Sequence, residues 1–131
     1  MARPDAISNK PSLAIVVDHT RKTVRMNFAG HVTAVDMRTQ IEATEAAVNA
    51  LGAGFTLVSD MTELDVMDLE CVPHITRMMD LCLKAGIGKA LRIIPDPDKD
   101  IGMNLLSIVH YRGKVPIVTV VSRAEAEKEL R

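Results

Sequence analysis

From Thr23 to Ala29 the chain reads Thr-Val-Arg-Met-Asn-Phe-Ala, with Val24, Met26 and Phe28 on one side and Arg25 and Asn27 on the other. Alternation of that kind marks a β-strand with one face on a core and the other toward water. The β-branched run Ser12–Asp18 precedes it across the polar connection Asp18–Lys22, so the two predict a hairpin. Gly30 ends the alternation, and the period then becomes helical. Met37, Ile41, Thr44, Val48 and Leu51 share one helix face, behind a Thr33/Asp36 capping box and before Gly52 and Gly54.

The β/α alternation then continues. Phe55–Asp60 predicts a third strand, and Met61–Glu70 reads as a polar, acidic loop. A second helix follows, with Asp68 as N-cap, Pro73 in the first turn and Gly86 as the stop; Cys71, Ile75, Met78, Cys82 and Ala85 form its apolar stripe. Lys89–Ile94 predicts the fourth strand and Pro95–Asp98 a rigid turn. A third helix is expected over Lys99–Arg112, a fifth strand in Val115–Val121, and a terminal helix over Arg123–Leu130 behind a Ser122/Glu125 box. The order β-β-α-β-α-β-α-β-α predicts an α/β fold: one mixed sheet with helices packed on it, the last three strands parallel. Residues 1–11 read as a flexible tail and residues 12–131 as a single domain. The chain's 131 residues bury roughly two-thirds of their unfolded surface on folding, so no metal or disulfide staple is required.

Composition excludes several functions. Sixteen basic and 17 acidic residues leave a net charge of −1, which argues against nucleic-acid binding. Aromatic residues make up 2%, so stacking platforms are nearly missing. No apolar run approaches the ~18 residues of a transmembrane segment. Cys71 and Cys82, about three turns apart on one helix, lie too far apart for a disulfide and read as buried, reduced thiols, pointing to the cytoplasm.

Catalytic and metal signatures are likewise missing. His19, His31, His74 and His110 show no metal spacing, and His31 reads as an exposed turn residue at the end of strand two. Asp96, Asp98 and Asp100 alternate like the start of a calcium loop but lack its glycine and distal glutamate, so they read as turn and cap residues. Glu63, Asp65, Asp68 and Glu70 read as a solvated loop whose later members favour a helix start. No nucleophile elbow or phosphate-binding glycine loop occurs. Acidic neighbours oppose activation of Cys71. The expectation is a non-enzyme with no cofactor and no metal.

The turn Gly30-His-Val-Thr33-Ala-Val-Asp36, the segment Asp60-Met-Thr62-Glu-Leu64, the helix start Asp68-Leu69-Glu70-Cys71 and the ending Val118-Thr-Val-Val-Ser122-Arg-Ala-Glu125-Ala126 together resemble the STAS domain, the fold of bacterial anti-sigma-factor antagonists. The resemblance spans roughly residues 12–130. It implies a regulatory protein-interaction module whose docking face comprises Asp60, Thr62, Asp68, Leu69, Glu70 and Cys71, together with the Pro95–Lys99 loop. In that family a serine or threonine at the helix start is phosphorylated by the partner. Leu69 and Glu70 stand at those positions here and carry no hydroxyl. Thr62 and Ser59 are the nearby hydroxyls. Glu70 reads as an ordinary acidic first-turn residue; as a phosphomimic it would bring one negative charge where phosphoserine brings nearly two.

A second comparison, with lipid-binding CRAL-TRIO-like relatives of the fold, implies an apolar small-molecule ligand in a cavity between sheet and helices. Met61, Met67, Met78, Met79 and Met103 would then serve as an adaptable lining, although their spacing is that of core. Strand one, an apolar edge, invites pairing, so a homodimer is also an expectation.

Overall fold

The computed structural model describes residues 11–96 and 114–131. The expected tail, apart from Pro11, and the helix expected over 99–112 lie outside the described residues. Five strands form one sheet in the order β1-β2-β3-β4-β5: β1 Leu13–Asp18, β2 Thr23–Val32, β3 Thr56–Met67, β4 Lys89–Ile93 and β5 Ile117–Val120. The β1–β2 hairpin is antiparallel and the other three pairings are parallel, which makes the sheet mixed. The helices are α1 Ala34–Thr39, α2 Ile41–Leu51, α3 Val72–Ala85 and α4 Arg123–Leu130, with a short 3₁₀ turn, Leu69–Cys71, ahead of α3.

The alternation in β2 decides which face is which. Val24, Met26 and Phe28 join Leu57, Ala90 and Ile94 in the main core, packed under Met37, Ile41, Val48, Ile75, Met78 and Cys82 of α1, α2 and α3. The opposite face carries a smaller cluster, Val58, Leu91, Ile93 and Val120, beneath Ala126 of α4. The two helical stripes expected before Gly52 and Gly86 are thus buried except for Leu51 and Ala85, which are partly buried. Met61, Met67, Met78 and Met79 belong to the main core, while Met103 lies outside the described residues.

The single helix expected over Thr33–Leu51 is divided at Gln40. The Thr33/Asp36 box forms in both directions. The Gln40 amide then bonds the Met37 carbonyl three residues back, a tightened turn, and the wholly buried Thr44 hydroxyl takes the Gln40 carbonyl at 2.9 Å. Back-bonding of this sort satisfies a hydroxyl away from water and bends the helix. The Ser122 cap forms in one direction, its Oγ accepting from the Glu125 amide. Gly86 ends α3 in the left-handed conformation, as a stop glycine should.

A larger correction concerns Met61–Glu70, expected as a loop. Residues 61–67 continue β3 and pair with a β2 prolonged to Val32, so Gly30 does not end its strand. Asn27 faces Asp60 but Ala29 faces Glu63, and Gly30 faces Leu64 but His31 faces Val66. Each shift inserts one extra residue on β3, a bulge of a kind uncommon between parallel strands. The two bulges change the inward period from two to three, so that Met61, Leu64 and Met67 are all buried. Gly30 sits at the second bulge with φ +63, where a side chain is strained.

Candidate functional site

Beyond the second bulge, the ends of β2 and β3 meet α1 and the 3₁₀ turn. The Asp68 amide donates to the Val32 carbonyl at 3.0 Å, and the Asp68 carbonyl accepts from the Cys71 amide at 3.0 Å. This closes the strand end and starts the turn. The Asp68 side chain, expected to cap the helix, makes no capping bond. It lies 2.6 Å from His31 Nε2 instead. The interposed 3₁₀ turn moves the start of α3 on to Cys71, away from the Asp68 carboxylate, which meets the imidazole across the strand pair. The hydrogen bond to Asp68 and its negative charge, reinforced by Asp36 and Asp65, hold the His31 pKa above its ordinary value. His31 is exposed as expected, but it lies in β2 rather than in a turn and hydrogen-bonds Asp68, an ion pair when the imidazole is protonated.

Three apolar side chains reach water in this region. Leu69 on the 3₁₀ turn is 70% exposed, Val35 on α1 56% and Val66 on β3 44%. Helix α1 packs against the turn that carries Leu69, and Val66 is the register partner of His31. Glu70, beside Leu69, is exposed. Asp36, by contrast, is engaged in the cap of α1. Cys71 points inward: its Sγ approaches the Val32 carbonyl at 3.6 Å, and burial, with help from the Asp68 charge, pushes the thiol up to about 11. Cys82 is pushed up to about 12 by burial alone. Both cysteines are free.

Asp60 and Thr62 are not part of this region. Asp68 lies eight positions after Asp60, just beyond the end of β3, up to roughly 26 Å away at the usual strand rise. Asp60 is 1% exposed and lies on the opposite, α4-bearing face. Its Oδ1 accepts from the Thr62 amide at 2.9 Å and the Thr62 hydroxyl at 2.6 Å. Its Oδ2 accepts from Arg25 at 3.0 Å and from Arg123 Nε at 2.8 Å, while Arg123 also reaches Glu63 at 2.9 Å. Burial alone would raise the Asp60 pKa, but Thr62 and the Arg123 guanidinium together hold it below the ordinary value. Arg25 and Arg123 were not among the sequence candidates. Alternation places Arg25 on the non-core face, but nothing local announces its partner.

The expected docking set therefore divides. Asp68, Leu69, Glu70 and Cys71 stay together, with Cys71 buried beneath; Asp60 and Thr62 belong to a separate ionic network. Of the Pro95–Lys99 loop, Pro95 and Asp96 are exposed and the remainder lies outside the described residues. Between sheet and helices, Met26, Phe28, Met37, Met78 and Met79 line an apolar cavity of about 30 Å³, with Ser59 and Arg92 also on its wall. That is more than the roughly 10–15 Å³ a single water requires and far below the several hundred Å³ of a usual ligand site. Among the described residues no three metal-ligating side chains converge, and no helix is long and apolar enough to cross a membrane. His110, Asp98 and Asp100 lie outside the described residues.

A leading hairpin, three parallel pairings and helices on both faces of one sheet make this a STAS-like α/β domain. Its fold is that of the anti-sigma-factor antagonists. A DUF3478-family protein with a SpoIIAA-like fold from Shewanella loihica superposes with a TM-score of 0.66 at 15% identity, over 100% of this chain and 99% of that one. The anti-sigma factor antagonist SpoIIAA aligns over 91% of this chain at 18% identity. Its unphosphorylated form gives a TM-score of 0.60 over 97% of its own chain, and the phosphorylated Bacillus form 0.62 over 99%. A chain from the complex of the diguanylate cyclase SiaD with its activator SiaC, from Pseudomonas aeruginosa, gives 0.55 at 12% identity, over 93% of this chain and 99% of that one. No protein-family model and no curated protein matches the sequence. The likeness is one of fold.

Proposed function

We propose that this chain is a non-enzymatic regulatory module that docks a signalling protein through the Leu69 end of the sheet. One observation carries the proposal: Leu69 on the 3₁₀ turn and Val35 on α1, which packs against that turn, both stand exposed, beside Glu70 and the His31–Asp68 pair. Apolar side chains within a polar rim make up the usual anatomy of a docking patch. The fold supports the same reading, since similar structures include an anti-sigma factor antagonist and a chain of a cyclase–activator complex. Leu69 and Glu70 cannot take a phosphate, so regulation here proceeds without phosphorylation at those two positions. Two buried thiols fit a reducing, cytoplasmic setting. In favour of an apolar ligand stands the 30 Å³ cavity under the helices, and in favour of a homodimer the edge position of β1, with Val16 half exposed.

The test is an affinity capture from the native host with the full chain and three variants: Leu69→Arg, Glu70→Lys, and Val16→Arg as a control on the far edge strand. A protein captured by wild type and by Val16→Arg, and lost with both site variants, is the expected result. Loss confined to Val16→Arg would overturn the assignment of the surface. A co-purifying apolar small molecule with no protein would overturn the function.

A further inference from the structure

Helix α4 covers an apolar patch while being mostly charge itself. Its sequence is Arg-Ala-Glu-Ala-Glu-Lys-Glu-Leu, with Ala126 its one buried residue and Leu130 partly buried. Beneath it Val58, Leu91 and Ile93 have no exposed surface, and Val120 has little. An eight-residue helix does not hold its shape alone in water. Two small apolar contacts add little. The remaining attachments among the described residues are ionic and grip the helix at three points. Arg123 at its start holds Asp60 and Glu63 of β3. Glu127 in its middle takes both guanidinium nitrogens of Arg21, from the β1–β2 turn, at 2.9 and 3.0 Å. Near its end Lys89 of β4 bonds the Glu129 carboxylate at 3.3 Å and its carbonyl at 3.1 Å.

Most of these charges meet solvent, so dissolved salt weakens them: screening extends over about 10 Å at 0.1 M and about 3 Å at 1 M. The core face of the sheet is held differently, by interdigitated Phe28, Phe55, Met37 and Ile75, which salt does not loosen. The two faces therefore differ in what fastens them. We propose that α4 is an electrostatic latch: it opens as a unit of its own, ahead of global unfolding, when its three ionic attachments are weakened. Opening bares Val58, Leu91 and Ile93 and removes one of the two arginines on Asp60. Units that open below the global free energy show themselves in amide exchange.

The experiment is hydrogen–deuterium exchange on the full chain in about 0.05 M and about 1 M sodium chloride, repeated on Arg21→Ala, on Lys89→Glu, and on Lys89→Glu combined with Glu129→Lys. The expected result is that amides near the end of α4 exchange roughly tenfold faster at high salt and in both single variants, while those of β3 and β4 keep their protection. The charge-swapped pair should return α4 toward its wild-type rate. Exchange in α4 that follows β3 and β4 under every condition would overturn the proposal. So would α4 rates indifferent to salt and substitution, or a swapped pair no slower than Lys89→Glu.

Discussion

Asp60→Asn is the substitution whose outcome the structure specifies most fully. The change preserves size, and the amide oxygen can still accept from Thr62. Its NH₂ group then faces the guanidinium groups of Arg25 and Arg123, which lie 3.0 and 2.8 Å from the Asp60 carboxylate. Two charge-assisted hydrogen bonds are lost, each worth about 1.5–3 kcal/mol when fully formed. Two effects reduce the sum. The arginines are 23% and 47% exposed and can rehydrate, and the folded protein no longer confines a charge on a residue 1% exposed. A net loss of about 2–3 kcal/mol remains. For a chain of this length about 1 kcal/mol moves Tm by roughly 3–5 °C, so the variant should melt roughly 6–15 °C lower.

The pH dependence has a definite sign. The folded pKa of Asp60 is lowered, so its contribution to stability is complete above the unfolded value of about 4 and disappears as pH falls through the folded value. Urea unfolding of wild type and Asp60→Asn at pH 7, 5, 4 and 3 should show a gap that is full at the two higher values and closes below about pH 4. A gap under about 0.5 kcal/mol at pH 7, or one that widens on acidification, would refute the view that the two arginines stabilise this buried carboxylate. A double-mutant cycle with Arg123→Ala should return a favourable coupling energy.

Two glycines separate backbone strain from crowding. Gly30→Ala meets open space at φ +63 and should cost about 1–2 kcal/mol in urea unfolding. Gly86→Ala adds to a similar strain a Cβ 2.7 Å from the Ala53 Cβ, so it should cost more, about 2–4 kcal/mol; equal costs would contradict the steric account. Thiol reagents at pH 8 should leave native Cys71 and Cys82 unmodified, because burial pushes both thiols far above that pH; labelling of either within minutes would show the site to be open. An NMR titration should find the His31 imidazole above its ordinary value and lower in Asp68→Asn than in wild type. The pair's contribution is then present below the unfolded pKa and lost as pH rises through the folded one, and a His31 titration unaffected by Asp68→Asn would deny the ion pair.

The hairpin, the succession of strands and helices, and the helical stripes are legible because each rests on a period within a short window. Val24, Met26 and Phe28 alternate, and Ile75, Met78 and Cys82 return to one helix face. The second half of β3 was not legible for the same reason. Met61, Leu64 and Met67 recur every third residue, a spacing that matches neither a strand nor an amphipathic helix. It becomes a strand signal only once two bulges are placed opposite β2, and the bulges are a property of the pair rather than of either segment. By sequence Gly30 reads as a terminator; its left-handed backbone continues the strand past the bulge instead.

The place of Asp60 depends on distant residues in the same way. An aspartate near a strand's expected end, followed by Thr62 and acidic residues, reads as part of an exposed loop. Once β3 runs on to Met67, Asp60 is mid-strand, and alternation turns it to the face opposite Leu57 and Ser59. A carboxylate there must find cations, and it finds Arg25, 35 residues away, and Arg123, 63 residues away. Arg25 is two positions from Asn27, the register partner of Asp60, which places it on the same face within diagonal reach. Arg123 arrives only because the Ser122 cap starts α4 beside that strand. Whether an acidic residue is a binding surface or an internal anchor is therefore decided by chain segments that no local window contains. Leu69 and Glu70 escape that ambiguity, since the turn that carries them stays exposed.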